Sequence, residues 1–487
     1  MSGIDLSKNP VFKQQAFING QWVSAADGRT EDVLDPGSMK VIGATPFLGK
    51  EETVVAIEAA AAVLPAWRKM TAQARGDILM RWHGLILEHQ DALAELMTAE
   101  TGKPLNQSYG EVTYGASFVE WFAEEGKRAY GEIIPASLED RRFLVIKQPI
   151  GVTAAITPWN LPFACVTRKV APALAAGCTQ VLKPAPDTPF SALALACLLQ
   201  QAGLPDGVLN IVTGDAPAIG STMTSHKAVR AVSFTGSTGV GKLLAKQCAE
   251  QMKKPSLELG GNAAFIVFED ADIEDAVTEL MASKFRNSGQ TCVCANRILI
   301  QSSIYEEFSQ ALKKRVAAMT TGSGIEDKDM GPLINQAGFD KVDRHVKDAL
   351  AKGAIALTGG APHEKGGLYY QPTVLTNISD DMQLNKEETF GPVAPLFKFE
   401  TEEEAIEVAN STDYGLASYV YTKDMSRMFR VAEAFESGMV GVNAGIISNA
   451  AVPFGGVKES GLGREGSRHG LDDFMEMKYI HIKLDHT

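Results

Sequence analysis

Cys292 lies in the run Phe285-Arg286-Asn287-Ser288-Gly289-Gln290-Thr291-Cys292-Val293-Cys294, between a segment with helical spacing and an apolar strand. Gly289 is expected to release the helix, which leaves Cys292 on a loop that reaches a cleft, where its sulfur can attack an electrophilic carbon. A free thiol ionises near pH 8.5, so only a few per cent is thiolate at about pH 7 unless its surroundings help. A buried, inert cysteine is the competing reading, and it is the one given to Cys165, Cys178, Cys197 and Cys248, which sit in helical or apolar contexts.

Glu258 stands in Ser256-Leu257-Glu258-Leu259-Gly260-Gly261. Burial between leucines raises a carboxyl pKa and makes it a usable general base; a solvated glutamate in a turn fits the same pattern. Asn160, in Thr157-Pro158-Trp159-Asn160-Leu161-Pro162, sits on a loop stiffened by two prolines. A rigid amide donor suits an oxyanion, and an ordinary turn asparagine is the alternative. The run Phe234-Thr235-Gly236-Ser237-Thr238-Gly239-Val240-Gly241 follows a strand and opens a helix. Its N–H groups can cradle a pyrophosphate, although Thr238 breaks the G-x-G-x-x-G pattern. Lys183 ends a neighbouring strand and adds a cation to the same crevice.

The elements that must position these groups follow from periodicity. Apolar residues at three-to-four spacing predict helices over 51–66, 71–89 and from Asp91 to the Thr101-Gly102-Lys103-Pro104 stop. Short apolar runs predict strands over 143–147, 152–156, 180–182, 208–212 and 231–235, with helices over 191–202 and 242–252 between them. A second alternating block has strands at 264–268, 297–301, 393–399, 418–421 and 439–443, and a helix capped by Asp272. Such alternation means parallel sheets, with ligands at the carboxyl ends of the strands. The alternating residues of 479–484 read as a terminal strand in search of a sheet.

Composition excludes several classes. The chain has 487 residues and a formal net charge of −13, with no basic block to bind nucleic acid. Its longest charge-free windows are broken by Pro, Gly, Asn or Gln, so no membrane span is expected. The first ten residues lack the pattern of a signal peptide. All six cysteines fall within 165–294, which is not a disulfide framework, so a reducing, cytoplasmic compartment is expected. None of the eight histidines falls in a motif that would pair with a nucleophilic cysteine, which counts against a cysteine hydrolase, and no metal is expected.

Seven motifs taken together resemble the aldehyde dehydrogenase superfamily over nearly the whole chain. They are Pro158-Trp159-Asn160, Lys183-Pro184-Ala185, Phe234–Thr238, Leu257–Gly261, Gly289–Cys292, Glu387–Pro392 and Pro453–Gly456. The segments 284–297 and 120–130 look most similar to bacterial succinate-semialdehyde dehydrogenases and their glutarate-semialdehyde relatives. The resemblance implies an α/β fold with two parallel-sheet Rossmann-like domains and a small β oligomerisation element. It divides the chain into a dinucleotide-binding domain (1–127 and 149–257), a catalytic domain (258–465) and the oligomerisation element (128–148 and 466–487).

The resemblance also implies roles. Cys292 is the nucleophile, Asn160 and the Cys292 backbone N–H hold the oxyanion, and Glu258 activates the water that hydrolyses a thioester, a step that speaks against a coenzyme A-acylating relative. Thr157, Trp159, Lys183, Pro186, Gly236, Ser237, Leu259, Glu388 and Phe390 are expected to contact the dinucleotide. Pro186 replaces a glutamate common in NAD-preferring members. NADP is therefore the expected cofactor, with NAD possible and with Asp187 next door pulling the other way. Arg168, Arg286 and Ser448 are expected to hold a carboxylate at the far end of the substrate. Cys294 is a candidate redox partner of Cys292. Succinate semialdehyde is the expected substrate, with glutarate semialdehyde or broader aldehyde specificity as alternatives, and a homotetramer or homodimer is the expected assembly.

Overall fold

The computed structural model describes residues 4–485; the first three residues of the expected dinucleotide-binding segment and the last two of the expected terminal element lie outside them. Val152–Ile156, Thr179–Lys183, Leu209–Ile211, Val229–Thr235 and Lys254–Glu258, the last not marked by an apolar run, form the parallel centre of an eight-stranded sheet. Gln21–Val23 and Ala16–Ile18 extend one edge antiparallel, and Gly461–Leu462 closes the other against Leu257 and Glu258. A second, seven-stranded sheet runs Ile355–Thr358, Thr373–Thr376, Val393–Phe399, Ala295–Gln301, Ala263–Val267, Ala417–Tyr421, Met439–Val442, with only its first edge strand antiparallel. Both sheets are buried on two faces by helices, which is why their strands read as continuous apolar runs. In a third sheet Arg141–Pro149 is the central strand, paired antiparallel with Met475–Lys483 on one side and Glu132–Ile134 on the other.

The α/β reading holds. Thr71 caps the helix Ala72–Glu88 through the Ala74 N–H, and Gly102 ends Gln90–Thr101 in the left-handed region. The opening stretch also carries strands that helical spacing does not reveal: Thr30–Asp35 and Lys40–Pro46 pair with each other. Two helices around the site differ from expectation as well. Leu105–Glu125 is the longest of the chain at 21 residues, and Ala164–Ala176 is buried on every side, so it has no polar face for periodicity to detect. They cross at Gly115, where a Cβ would fall 2.4 Å from the Phe163 ring. No described helix is long and apolar enough to cross a membrane.

Candidate active site

The carboxyl ends of the first sheet's strands carry the predicted groups. Asn160 follows Val152–Ile156, Lys183 and Glu258 end their own strands, and Ser237 follows Val229–Thr235. The Cys292 loop arrives from the second sheet by a route that corrects one expectation. The helix Ile273–Lys284 ends five residues before Gly289, and Asn287, Ser288 and Gly289 then take three consecutive left-handed conformations. Gly289 is required for a different reason than helix release: a Cβ there would lie 2.2 Å from the Gly391 carbonyl oxygen.

Cys292 is partly exposed and lines two cavities at once. One, of about 220 Å³, is bounded by Lys103, Tyr114, Arg168, Arg286, Ser448 and Phe454. The other, of about 440 Å³, is bounded by Trp159, Asn160, Gly236, Ser237, Leu259, Glu388 and Phe390 among others. The sulfur is thus reachable from both sides. Burial, foremost, pushes the Cys292 thiol pKa up, while the Arg168 charge opposes the shift. Gly261 makes the loop's seat possible, since a Cβ there would meet the Cys292 carbonyl oxygen at 2.4 Å.

Glu258 is buried and its Oε2 has no hydrogen-bond partner. Desolvation, then the nearby Glu465 carboxylate, hold its pKa well above the usual range. The buried-base reading of Glu258 therefore prevails over the solvated turn. Asn160 is buried too, and its Nδ2 donates to the Gln290 carbonyl at 3.1 Å. Cys294 is turned away, its Sγ facing the carbonyls of Lys284 and Gly289 at 3.5 Å.

The larger cavity suits a dinucleotide. Ser237 sits at the N-cap of Thr238–Ala249 and makes no side-chain cap bond, so the first N–H groups of that helix remain available to an anion. Gly241 packs on Leu259, where a Cβ would fall 2.3 Å from the leucine side chain. Glu388 accepts from the Gly261 N–H at 3.0 Å, and burial raises its pKa to about 7. Trp159 and Phe390 meet edge to face at 5.5 Å. Thr157, Lys183 and Pro186 are not among the lining residues, although the Thr157 N–H donates to the Lys183 carbonyl. Pro186 is exposed. Near Lys183, Asp187 is joined by other carboxylates. Glu31 of Thr30–Asp35, Asp187 and Asp215 all face its amine, whose pKa burial lowers to about 8.

At the far side, Arg286 and Ser448 line the smaller cavity as expected, and the Arg286 Nε is unpartnered. Arg168 reaches it too, but with a counter-ion: Glu465 pairs with Arg168 and, at 2.5 Å, with Lys169. Its guanidinium lies 4.0 Å over the Phe454 ring. Burial works to lower its pKa, and the Glu465 carboxylate outweighs that, so the pKa is raised overall. The sequence reading missed Tyr114, whose buried hydroxyl faces Ser448, Arg168 and Arg286 and has no partner. Burial raises its pKa, so it remains a proton donor. A reactive cysteine between a cationic pocket and an anion-accepting cleft is the geometry expected of the resembled family.

A family model described as the aldehyde dehydrogenase family matches residues 22–480. The chain belongs to the aldehyde dehydrogenase family. It is 55% identical to a succinate-semialdehyde dehydrogenase [NADP(+)] of Escherichia coli, over 98% of this chain and 100% of the relative. It is 53% identical to a glutarate-semialdehyde dehydrogenase of Pseudomonas aeruginosa, over 98% and 99%. The crystal structure of an E. coli NADP-dependent enzyme superposes with a TM-score of 0.97 at 55% identity, covering 97% of this chain and 99% of that one. This aldehyde dehydrogenase is therefore an oxidoreductase that uses NAD(P) and acts on a small aldehyde.

Proposed function

We propose that the enzyme oxidises an ω-semialdehyde acid, succinate semialdehyde foremost, to the dicarboxylate. The observation that carries this reading is that Cys292 shares its lining with Arg286, Ser448 and Tyr114 on one side and with Asn160 and Glu388 on the other. The substrate carboxylate is held by Arg286, Ser448 and Tyr114, with Arg168 supplying a charge partly offset by Glu465. The Cys292 thiol gives its proton to solvent water as its sulfur adds to the aldehyde carbon, and the oxyanion so formed is stabilised by the Asn160 amide and the Cys292 N–H. Trp159, Gly236, Ser237, Leu259, Glu388 and Phe390, with Thr157, Lys183 and Pro186 beyond the cavity wall, would hold the dinucleotide, which would supply the two-electron acceptor. Glu258 then takes a proton from the water that attacks the acyl carbon, and the Cys292 sulfur leaves.

NADP is the proposed preferred cofactor. Lys183 offers a cation, Pro186 offers no carboxylate, and the E. coli relative is named for NADP(+). The Glu31, Asp187 and Asp215 carboxylates keep NAD as a second cofactor. The domain division given above, a cytoplasmic location and a homo-oligomer of two or four chains complete the proposal. The test is kinetic: Arg286→Ala should lower kcat/KM for succinate semialdehyde by at least about 10²-fold, as expected on losing a charged hydrogen bond of about 1.5–3 kcal/mol and its orientation. Activity on a neutral aldehyde of similar size should change little. Equal losses on both substrates would overturn the carboxylate reading. The same panel, run with glutarate semialdehyde and both cofactors, decides chain length, where one methylene is worth about 1–3 kcal/mol.

A further inference from the structure

We propose that Lys103, Glu111 and Asn287 form a positioning clamp that fixes the backbone of Asn160 and so aims its side-chain amide at the oxyanion. The proposal rests on the reading of Asn160 as oxyanion donor. Two side chains converge on the Asn160 carbonyl oxygen: Lys103 Nζ donates to it at 2.8 Å and Asn287 Nδ2 at 3.0 Å. Lys103 Nζ also pairs with Glu111 Oε2 at 2.5 Å. The other oxygen of Glu111 accepts the N–H groups of Phe163 at 3.0 Å and Ala164 at 3.2 Å, where the Asn160 loop enters the helix Ala164–Ala176. The loop is thus gripped at Asn160 and again three and four residues later, from one rigid helix, Leu105–Glu125, and the turn before it.

Each member is buried. An ion pair withdrawn from water gains little stability over an apolar pair of the same shape, because desolvation consumes the Coulombic gain. What such a pair does supply is a defined geometry, and here it supplies it to one carbonyl. Asn287 couples the clamp to the nucleophile's own loop, since Nδ2 of Asn287 and Nδ2 of Asn160 both reach the Gln290 carbonyl, at 3.3 and 3.1 Å. Lys103 and Asn287 also line the Cys292 cavity. A lysine ammonium has three N–H donors, and here one meets the Asn160 carbonyl and another the Glu111 carboxylate.

The test is a double-mutant cycle on the first turnover, read as the rapid-mixing burst of cofactor reduction with protiated and C1-deuterated aldehyde. Lys103→Met should slow the burst by about 10- to 10²-fold, the cost of a small misplacement of a catalytic group, and enlarge the deuterium effect. In an Asn160→Ala background the same substitution should leave the rate within about threefold, because its route of action is gone. Alkylation of Cys292 by iodoacetamide, without cofactor, should stay at the wild-type rate in Lys103→Met. If Lys103→Met does not fold, Asn287→Gly, which removes the second donor and relieves a positive φ, takes its place in the same cycle. A Lys103→Met burst at the wild-type rate, losses that add to those of Asn160→Ala, or loss of burst and alkylation together would each overturn the clamp. An Asn160→Ala enzyme with an undiminished burst would instead overturn the oxyanion assignment itself.

Discussion

Three side chains set the chemistry, and their surroundings explain why a carboxyl rather than a histidine serves as base. Glu258 is poised by burial, with Glu465 adding like charge, so its proton affinity is raised towards the range a general base needs. Below its raised pKa the carboxyl is protonated and cannot take a proton from water. Thioester hydrolysis should therefore climb as pH rises through that value. Glu258→Gln should abolish the climb while leaving the first burst of cofactor reduction largely intact. Steady-state and burst rates across pH check this; a Glu258→Gln enzyme with the wild-type pH profile would contradict it. Cys292, Glu258 and Asn160 were candidates from residue type and context, but an inert cysteine, a solvated glutamate and a turn asparagine fit the same local patterns, so their roles came from the resemblance. Tyr114, Lys103 and Glu111 were not legible in the sequence, because nothing local distinguishes them. Their partners lie far along the chain, as with Lys103 and Asn160 at a separation of 57 residues.

At the scale of elements, the strand ends carry the site and the helices behind them hold it still. Strand 393–399 and the Asp272 cap were readable from an apolar run and a capping residue. The helix Ala164–Ala176 was not, because total burial erases the contrast between its faces. Its consecutive cations Arg168 and Lys169 share one counter-ion, Glu465, which reaches them from the return segment beyond Phe454. Glu465→Gln leaves both buried charges uncompensated and should cost about 3–5 kcal/mol of stability at neutral pH, read from urea unfolding. Burial works against its ionisation, but Arg168 and Lys169 lower the folded pKa of Glu465 overall. Its stabilisation is thus complete above the unfolded value of about 4.3 and is lost as pH falls through the lowered folded value. An unchanged unfolding midpoint would contradict the account.

For the whole molecule, two parallel sheets meet so that a loop from one crosses the strand ends of the other. The alternation of strands and helices announced both sheets; their strand order, and the return of Gly461–Leu462 to the first sheet, depend on pairings that no local window contains. One face of the third sheet presents Ile134, Met477 and Tyr479 to solvent, with Met477 75% exposed. Unburied apolar side chains on a sheet face suit contact between copies. Ile134→Asp together with Met477→Asp should lower the assembly mass measured by light scattering; an unchanged mass would remove this face from the interface. The central claim is that the Cys292 sulfur becomes acylated where the two cavities meet. Rapid-quench mass spectrometry of Glu258→Gln with succinate semialdehyde and NADP tests it most directly. One succinyl group should accumulate on the peptide carrying Cys292, whereas turnover with no adduct, or with the adduct on another cysteine, would contradict it.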